Sequence, residues 1–342
     1  MGELTGERVR KRTAPSLLGP VLALLAALFG GVAAVGAVLL LMADRGVVVH
    51  GNEFVNPAGL VDANNSPTIV RNPTDPENLV IVNRIDRPGF AAALHYSVDG
   101  GLVWRSNVLP LPDGLDRPYA PDAAFADDGT LHVTYVNLTG PGNVPQNLWL
   151  ARSDDGGRTL SEPSRVAGDL SFQAQLAVAP DGTIHVTYLQ ASSVGTLQLV
   201  GPARVVAVAS RDGGRTWSEP AQVSDPRRAR VGAATPVIDS HGELVVLYQD
   251  FKGDVRDFQN LEGPAWPEPF GLVVTRSTDG GATFTPGNEI ESEVAPTERF
   301  LVFLPPFPSI AAGPDRSLAV TWSDARNGDA DVFLRRSPDG ER

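Results

Sequence analysis

The stretch Ser210-Arg-Asp-Gly-Gly-Arg-Thr-Trp217 decides the fold of this chain, because it recurs along the sequence with small changes. Three further complete copies begin at Ser97, Ser153 and Ser277, and an incomplete fifth copy begins at Ser337. The aspartates of successive copies are 56, 57, 67 and 60 residues apart. This spacing is close to the length of a four-stranded unit, so the chain after residue 60 is predicted to be an array of such units.

The repeated motif has the chemistry of a tight turn. Its aspartate can accept hydrogen bonds from turn amides, its glycines permit a positive φ, and its last residue, usually aromatic, can fold back over the turn. We therefore expect these positions to be structural. They are Ser97, Asp99, Gly101, Trp104, Ser153, Asp155, Gly157, Ser210, Asp212, Gly214, Trp217, Ser277, Asp279, Gly281 and Phe284.

A second pattern, two short alternating apolar runs joined by a turn, precedes each copy of the motif. These stretches are 69–83, 123–135, 176–188, 237–248 and 310–322. Alternating β-branched runs joined by turns such as Asp-Gly predict β-hairpins. Two hairpins per repeat predict a four-stranded antiparallel blade. The five recognisable repeats therefore predict an all-β propeller of five blades, with six blades as the alternative.

The turn motif and its spacing resemble the Asp-box (BNR) repeats of the sialidase superfamily of β-propellers, over roughly residues 64–342. The resemblance implies a glycoside hydrolase of exo-α-sialidase type that acts on anionic sugars. Asp boxes also occur in propellers that are not sialidases. The alternative is therefore a non-catalytic propeller that binds glycan or protein at the cell surface.

The charge balance argues against a nucleic-acid partner. The chain has 28 Lys and Arg against 40 Asp and Glu, a net charge of −12 that repels nucleic acid. It has no cysteine, which excludes disulfides, thiolate metal sites and a cysteine nucleophile. We expect the partner to be a carbohydrate or another cell-surface ligand.

An uncharged apolar run near the N-terminus predicts a membrane anchor. The run from Ala14 to Ala43 is long enough to span a bilayer and longer than the apolar region of a cleaved signal peptide. Basic residues precede it, which predicts a cytoplasmic N-terminus and an extracytoplasmic propeller at the cell membrane. The expected organisation is a tail over 1–13, a transmembrane helix over 14–43, a linker or closing strand over 44–63 and the propeller over 64–342.

The strand order within a repeat predicts which face carries function. If strands A to D run outward from an innermost A, the A–B turns and Asp boxes share one face. The B–C loops and D–A connections then share the other, which we call the loop face. The B strands align Asn83, Tyr135, Tyr188, Tyr248 and Trp322 at one position. Candidate catalytic residues near the loop face are Arg84, Arg117, Tyr119, Asp122, Asp250, Arg299, Asp324 and Arg326.

Sialidase chemistry, by this resemblance, uses three arginines on the substrate carboxylate, a Tyr–Glu nucleophile pair and an aspartate acid/base. Guanidinium groups suit a carboxylate because they bind it with two parallel hydrogen bonds, and a carboxyl group kept protonated by its surroundings suits the acid. The chain departs from the family because the Arg-Ile-Pro element is absent, and Arg84-Ile-Asp-Arg-Pro88 is its nearest counterpart. No glutamate is clearly placed beside a tyrosine, so hydrolase and binding module both stay open.

Two other stretches have alternative interpretations. The oxygen-rich stretch from Asp324 to Asp331 could hold calcium, but Asn327-Gly328 is a hairpin signal and the spacing is not that of an EF-hand. We therefore expect no cofactor, with calcium as the alternative. The long segment from Phe251 to Phe270 could form one wall of a ligand pocket, since loops of this length tend to be functional or disordered.

Overall fold

The propeller predicted from the repeats is confirmed: five antiparallel sheets follow one another along the chain. The structure, a computed structural model, describes residue 55 and residues 64–168, 170–193, 202–254, 267–297 and 308–340. The strands of blade 1 are β1 Asn64–Arg71, β2 Leu79–Ile85, β3 Ala91–Ser97 and β4 Arg105–Val108. Those of blade 2 are β5 Pro118–Phe125, β6 Leu131–Thr139, β7 Val144–Ser153 and β8 Ser164–Ala167.

Blades 3, 4 and 5 repeat this plan. Blade 3 consists of β9 Ser171–Val178, β10 Ile184–Ala191, β11 Ala203–Ser210 and β12 Ala221–Gln222. Blade 4 consists of β13 Val231–Ile238, β14 Leu244–Asp250, β15 Phe270–Ser277 and β16 Asn288–Val294. Blade 5 has three strands among the described residues, β17 Ser309–Ala312, β18 Leu318–Asp324 and β19 Asp331–Ser337. A sixth blade has no counterpart within the described ranges.

The N-terminal predictions fall outside this account. The predicted tail and anchor, and the predicted linker except residue 55, lie outside the described residues. Within the described ranges the one helix is a single 3-10 turn, Pro314–Arg316, so none there has the length or apolar character to cross a bilayer.

The innermost strands are β1, β5, β9, β13 and β17, which pack against one another in that order. Side chains join them across three blade junctions. These bonds run from the Leu176 amide to the Asp122 carboxylate at 2.9 Å, from the Ala233 amide to Gln173 Oε1 at 2.8 Å and from Thr235 Oγ1 to the Pro308 carbonyl at 3.0 Å. Each joins a side chain of one innermost strand to the backbone of the next blade, so polar groups as well as apolar packing hold these neighbours together.

Each of the first four innermost strands contains a β-bulge at the same place. The bulge residues have φ near +50° although none of them is glycine; they are Ser66, Ala120, Gln173 and Ala233. A left-handed conformation costs a non-glycine residue about 1–2 kcal/mol, so the surrounding packing must compensate for it. The bulge bends each innermost strand where it approaches the loop face.

The Asp boxes combine a local turn with a docking point for the preceding blade. In the box of blade 3, Ser210 Oγ donates to Asp212 Oδ1 at 2.8 Å and accepts the Gly214 amide at 2.9 Å. The Gly214 carbonyl in turn accepts a hydrogen bond from Ser164 Oγ of blade 2 at 2.6 Å. In blade 1 the aromatic residue folds back over its turn, because Trp104 Nε1 donates to the Gly101 carbonyl at 2.9 Å.

The hydrophobic core lies between the sheets. One cluster of buried apolar side chains joins blades 1 and 2, a second is centred on blades 2 and 3, and a third extends from blade 3 to blade 5. Packing of neighbouring blades on one another through these apolar clusters stabilises the propeller.

Candidate functional site

The aligned row of residues on the B strands supports the loop face from below. Tyr135, Tyr188 and Tyr248 of this row are fully buried. The Tyr135 hydroxyl donates to the Pro110 carbonyl, and the Tyr248 hydroxyl accepts the Asp225 amide at 3.4 Å. In both cases the tyrosine holds the connection that leads into its own blade. The row therefore shapes the loop face without contributing exposed groups to it.

Blades 1 and 2 bring together a polar group that we call the Arg84 cluster: Asn65, Arg84, Asp86 and Tyr119. The Tyr119 hydroxyl donates to Asp86 Oδ1 at 2.5 Å, and Asn65 Nδ2 donates to Asp86 Oδ2. Arg84 Nε donates to Asn65 Oδ1 and lies 3.4 Å from Asp86 Oδ1. Three donor side chains thus surround one carboxylate, which fixes its orientation.

Accessibility within the Arg84 cluster is uneven. The Arg84 side chain is 5% exposed and that of Asp86 is 24% exposed, whereas Tyr119 is buried. Burial, and next the hydrogen bond to Asp86, raises the pKa of the Tyr119 phenol well above its ordinary value. Tyr119 is therefore a neutral hydrogen-bond donor at physiological pH, and a ligand can reach this cluster at Asp86 and at the half-buried Asn65.

Blade 4 contributes a second group, the Asp250 cluster, made of Arg228, Asp250, Lys252 and Glu289. Arg228 uses one terminal nitrogen for Asp250 and the other for Glu289, the latter at 3.0 Å. Lys252 Nζ lies 3.6 Å from Glu289 Oε1. The backbone amide of Lys252 donates a hydrogen bond to Asp250 Oδ1 at 3.0 Å. The predicted candidate Asp250 is thus one half of an ion pair and 8% exposed.

A third group, the Asp324 cluster, joins blades 4 and 5 through Glu291, Asp324, Arg326 and Arg335. Arg326 lies 2.5 Å from Asp324 and 3.3 Å from Glu291, and Arg335 lies 3.6 Å from Glu291. Burial opposes ionisation of Asp324, but hydrogen bonds from Arg326 outweigh it and hold the pKa of the carboxyl below its ordinary value. The two predicted candidates Asp324 and Arg326 therefore neutralise each other.

Two further predicted candidates, Arg117 and Asp122, lie apart from these clusters. Arg117 bonds within its own blade, to the Gly140 carbonyl and to Asn143 Oδ1 at 2.6 Å. Asp122 lies inside the ring, where burial raises the pKa of its carboxyl to about 6 against the lowering effect of the Leu176 amide. Arg299 and most of the long segment between Phe251 and Phe270 lie outside the described residues.

The oxygen-rich stretch of blade 5 forms a hairpin, as the Asn327-Gly328 signal predicted. Strand β18 pairs with β19 from Asp324 opposite Asp331, and Asn327 Nδ2 donates to Asp331 Oδ2 at 2.9 Å across the turn. In the described part of the chain, no three acidic or histidine side chains come together in a way that would hold a metal ion.

Several site residues have no signal in the linear sequence. Asn65, Arg228, Glu289 and Glu291 are ordinary polar residues in connections or strands, and they become part of the site through partners 19 to 61 residues away. Asp86 stands beside Arg84 in the stretch that the resemblance singled out. Its position after strand β2 was a signal that could have placed it among the candidates.

Two clefts between described blades lie away from the Arg84 cluster. One of about 500 Å³ separates the outer part of blade 4 from blade 5 and is lined by residues such as Val274, Ile290 and Val320. Another of about 440 Å³ lies among the A–B turns and boxes of blades 3 and 4, beside His185 and His241. Both are gaps between packed blades, so the accessible polar groups of the loop face remain the better candidate site.

Comparison with known proteins supports the fold more strongly than any activity. No family model matches the chain. A probable oligoxyloglucan-reducing end-specific xyloglucanase of Neosartorya fischeri is 28% identical over 160 residues, which cover 39% of this chain and 19% of that protein. The chain therefore spans about a fifth of the length of this relative.

Two solved structures cover most of the chain. A protein of unknown function from Dyadobacter fermentans has a TM-score of 0.57 at 15% identity, over 80% of this chain and 79% of that one. The Trypanosoma rangeli sialidase in complex with sialic acid has a TM-score of 0.55 at 15% identity, over 82% of this chain and 47% of that one. With the five sheets and the repeated Asp boxes, these likenesses show that the chain has the fold of the sialidase-like β-propellers.

Proposed function

We propose that this protein is a glycoside hydrolase whose loop face binds glycans and whose reactive carboxylate is Asp86. The observation that carries the proposal is the geometry of Asp86: a partly exposed carboxylate held by Tyr119, Asn65 and Arg84. A carboxylate in a fixed orientation suits glycoside hydrolysis, because it can act as nucleophile or base toward the anomeric centre. The likeness to sialidase and xyloglucanase sequences or structures is consistent with this reaction class.

In this proposal the other members of the Arg84 cluster are positioning residues. Tyr119 and Asn65 donate hydrogen bonds to Asp86, and Arg84 forms an ion pair with it, so that Asp86 is held ready for a sugar hydroxyl or the anomeric carbon. Glycoside hydrolysis also needs a protonated acid for the leaving group. The exo-α-sialidase form of the proposal further requires an anionic sugar and guanidinium groups that can reach its carboxylate.

The test is turnover by the full-length protein, purified in mild detergent, on a panel of sialosides, uronosides, hexosides, pentosides and xyloglucan oligosaccharides. We expect release of reducing sugar from one class, with kcat reduced at least 100-fold in Asp86→Asn at an unchanged melting temperature. Asp116→Asn is the matched control, since Asp116 is a loop-face carboxylate that is 79% exposed. Equal turnover by the parent and Asp86→Asn would refute the assignment of Asp86.

A second candidate function, a non-catalytic glycan-binding propeller, is favoured by one observation. Tyr119 is buried and its raised pKa keeps the phenol protonated, so it lacks the accessibility and charge of a tyrosine nucleophile. Glycan binding with a measurable dissociation constant and no turnover on any member of the panel would support this function over hydrolysis.

We also propose that the protein is a single-pass membrane protein with an extracytoplasmic propeller. The uncharged run from Ala14 to Ala43 and the basic residues before it support this location. The expected result is that the protein sediments with membranes and that protease added outside intact cells degrades the propeller. Release of an anchor-free protein into the medium would contradict the proposal.

A further inference from the structure

We propose that the loop face selects neutral glycans over glycans that carry a carboxylate. This inference rests on the proposed function, because it names the substrate class of the same face. Recognition of a sugar carboxylate relies on a guanidinium fork that is available for two parallel hydrogen bonds. The partners of the arginines on this face therefore decide between the two classes of glycan.

Each cluster on the loop face has as many carboxylates as cationic side chains. In the Arg84 cluster, Arg84 pairs with Asp86. In the Asp250 cluster, the cations Arg228 and Lys252 face the carboxylates Asp250 and Glu289. In the Asp324 cluster, the cations Arg326 and Arg335 face the carboxylates Asp324 and Glu291. The three clusters thus have no net positive charge, and the whole chain carries −12. The charges within these three clusters therefore provide no positive potential that would attract an anionic sugar.

The geometry of Arg228 shows what a carboxylate ligand would have to overcome. Its two terminal nitrogens bind different carboxylates, Asp250 and Glu289, so both ends of the fork are engaged. A sugar carboxylate would have to displace one of them and would then lie close to the other. Repulsion between like charges at such a distance opposes binding.

The same face has groups that suit a neutral sugar. Asp86 is a partly exposed hydrogen-bond acceptor with a fixed orientation, and sugar hydroxyls are donors for such a group. The half-buried Phe90 lies four residues after Asp86 in the chain. Its ring packs edge-on against the Tyr119 ring, with the ring centroids 5.3 Å apart. An aromatic surface beside a polar acceptor matches the mixed C–H and hydroxyl character of a neutral sugar ring.

The test compares two ligands that differ at C6, where one has a hydroxymethyl group and the other a carboxylate: galacto-oligosaccharides and galacturono-oligosaccharides of equal length and linkage, measured by calorimetry on the full-length protein in detergent. A glycan array with neutral hexose and pentose oligomers, their uronates and sialosides identifies the best neutral ligand and its uronate counterpart if galactose is not bound. We expect the neutral member to bind at least tenfold more tightly.

The Asp86→Asn substitution provides a second, opposite readout. It should weaken binding of the neutral glycan about tenfold, because a hydrogen bond to a charged acceptor is lost. It should also strengthen binding of the uronate, because it removes a negative charge that repels the uronate carboxylate. The control here is Asp113→Asn, at an exposed carboxylate of the connection between β4 and β5, which should change neither affinity.

The outcomes separate this inference from the proposed function. Tighter binding of a uronate or sialoside by the parent protein would overturn the neutral class and leave a glycan-directed function standing. Failure to bind any glycan on the array would overturn the proposed function, and this inference with it.

Discussion

The second glycine of the blade 2 Asp box, Gly157, allows a quantitative test of how the boxes hold the ring of blades together. Gly157 has φ +92°, and a Cβ added there would lie 3.2 Å from Tyr96 Cβ and 3.3 Å from both Leu94 Cδ2 and Val80 Cγ2. All three neighbours belong to blade 1. Gly157→Ala therefore probes packing between blades as well as the local turn.

The expected cost has two parts that a control can separate. An alanine at positive φ costs about 1–2 kcal/mol, partly offset by about 0.4–1 kcal/mol because alanine restricts the unfolded chain. Overpacking against three neighbours of blade 1 adds about 1–3 kcal/mol. Gly182 has φ +82° with nothing within 4 Å of an added Cβ, so Gly182→Ala should show the first part alone.

The measurement is urea unfolding and melting temperature of both variants beside the parent protein. We expect Gly157→Ala to be less stable than Gly182→Ala by about 1–3 kcal/mol, or about 2–4 °C in melting temperature for each kcal/mol. A shift of the same size in both variants would show that the boxes act as isolated turns. The reasoning about docking between blades would then be refuted.

Three further predictions concern buried charge. Burial lowers the pKa of His185 to about 4; the imidazole is neutral in the fold and protonated in the unfolded chain below its ordinary pKa, so stability falls as pH drops through this window. Between pH 7 and pH 4.5, the free energy of unfolding measured in urea should therefore fall by about 2 kcal/mol less for His185→Leu than for the parent protein. Burial raises the pKa of Asp122 to about 6, so this carboxyl makes the fold less stable as pH rises. Asp122→Asn should therefore gain stability relative to the parent as pH rises from 4 to 7. Asp239 is buried and pairs with Arg276 within blade 4, so calorimetry of Asp239→Asn should show a loss of about 3 kcal/mol, whereas Asp154→Asn at an exposed ion pair should leave the melting temperature unchanged.

The architecture could be predicted from the sequence because its signals are local and repeated. A Ser-x-Asp-Gly-Gly turn specifies its own backbone through hydrogen bonds within five residues, such as the Gly214 amide to Ser210 Oγ. Four complete copies and an incomplete fifth then indicate how many blades to expect. The strand order within a repeat indicates which strands lie innermost. The same register aligned Tyr135 and Tyr248 at one position of their strands. In the structure both side chains are fully buried.

The site depended on tertiary structure, because its chemistry arises between residues that are distant in the chain. Tyr119 meets Asp86 across 33 residues and Arg228 meets Glu289 across 61, and neither pairing follows from a local pattern. The bulges that bend the innermost strands use Ala120 and Gln173 at positive φ, where no glycine marks the conformation. The repeat register of the sequence therefore identified polar residues near the loop face. Packing of one blade on the next determined which of them are paired, buried or accessible to a ligand.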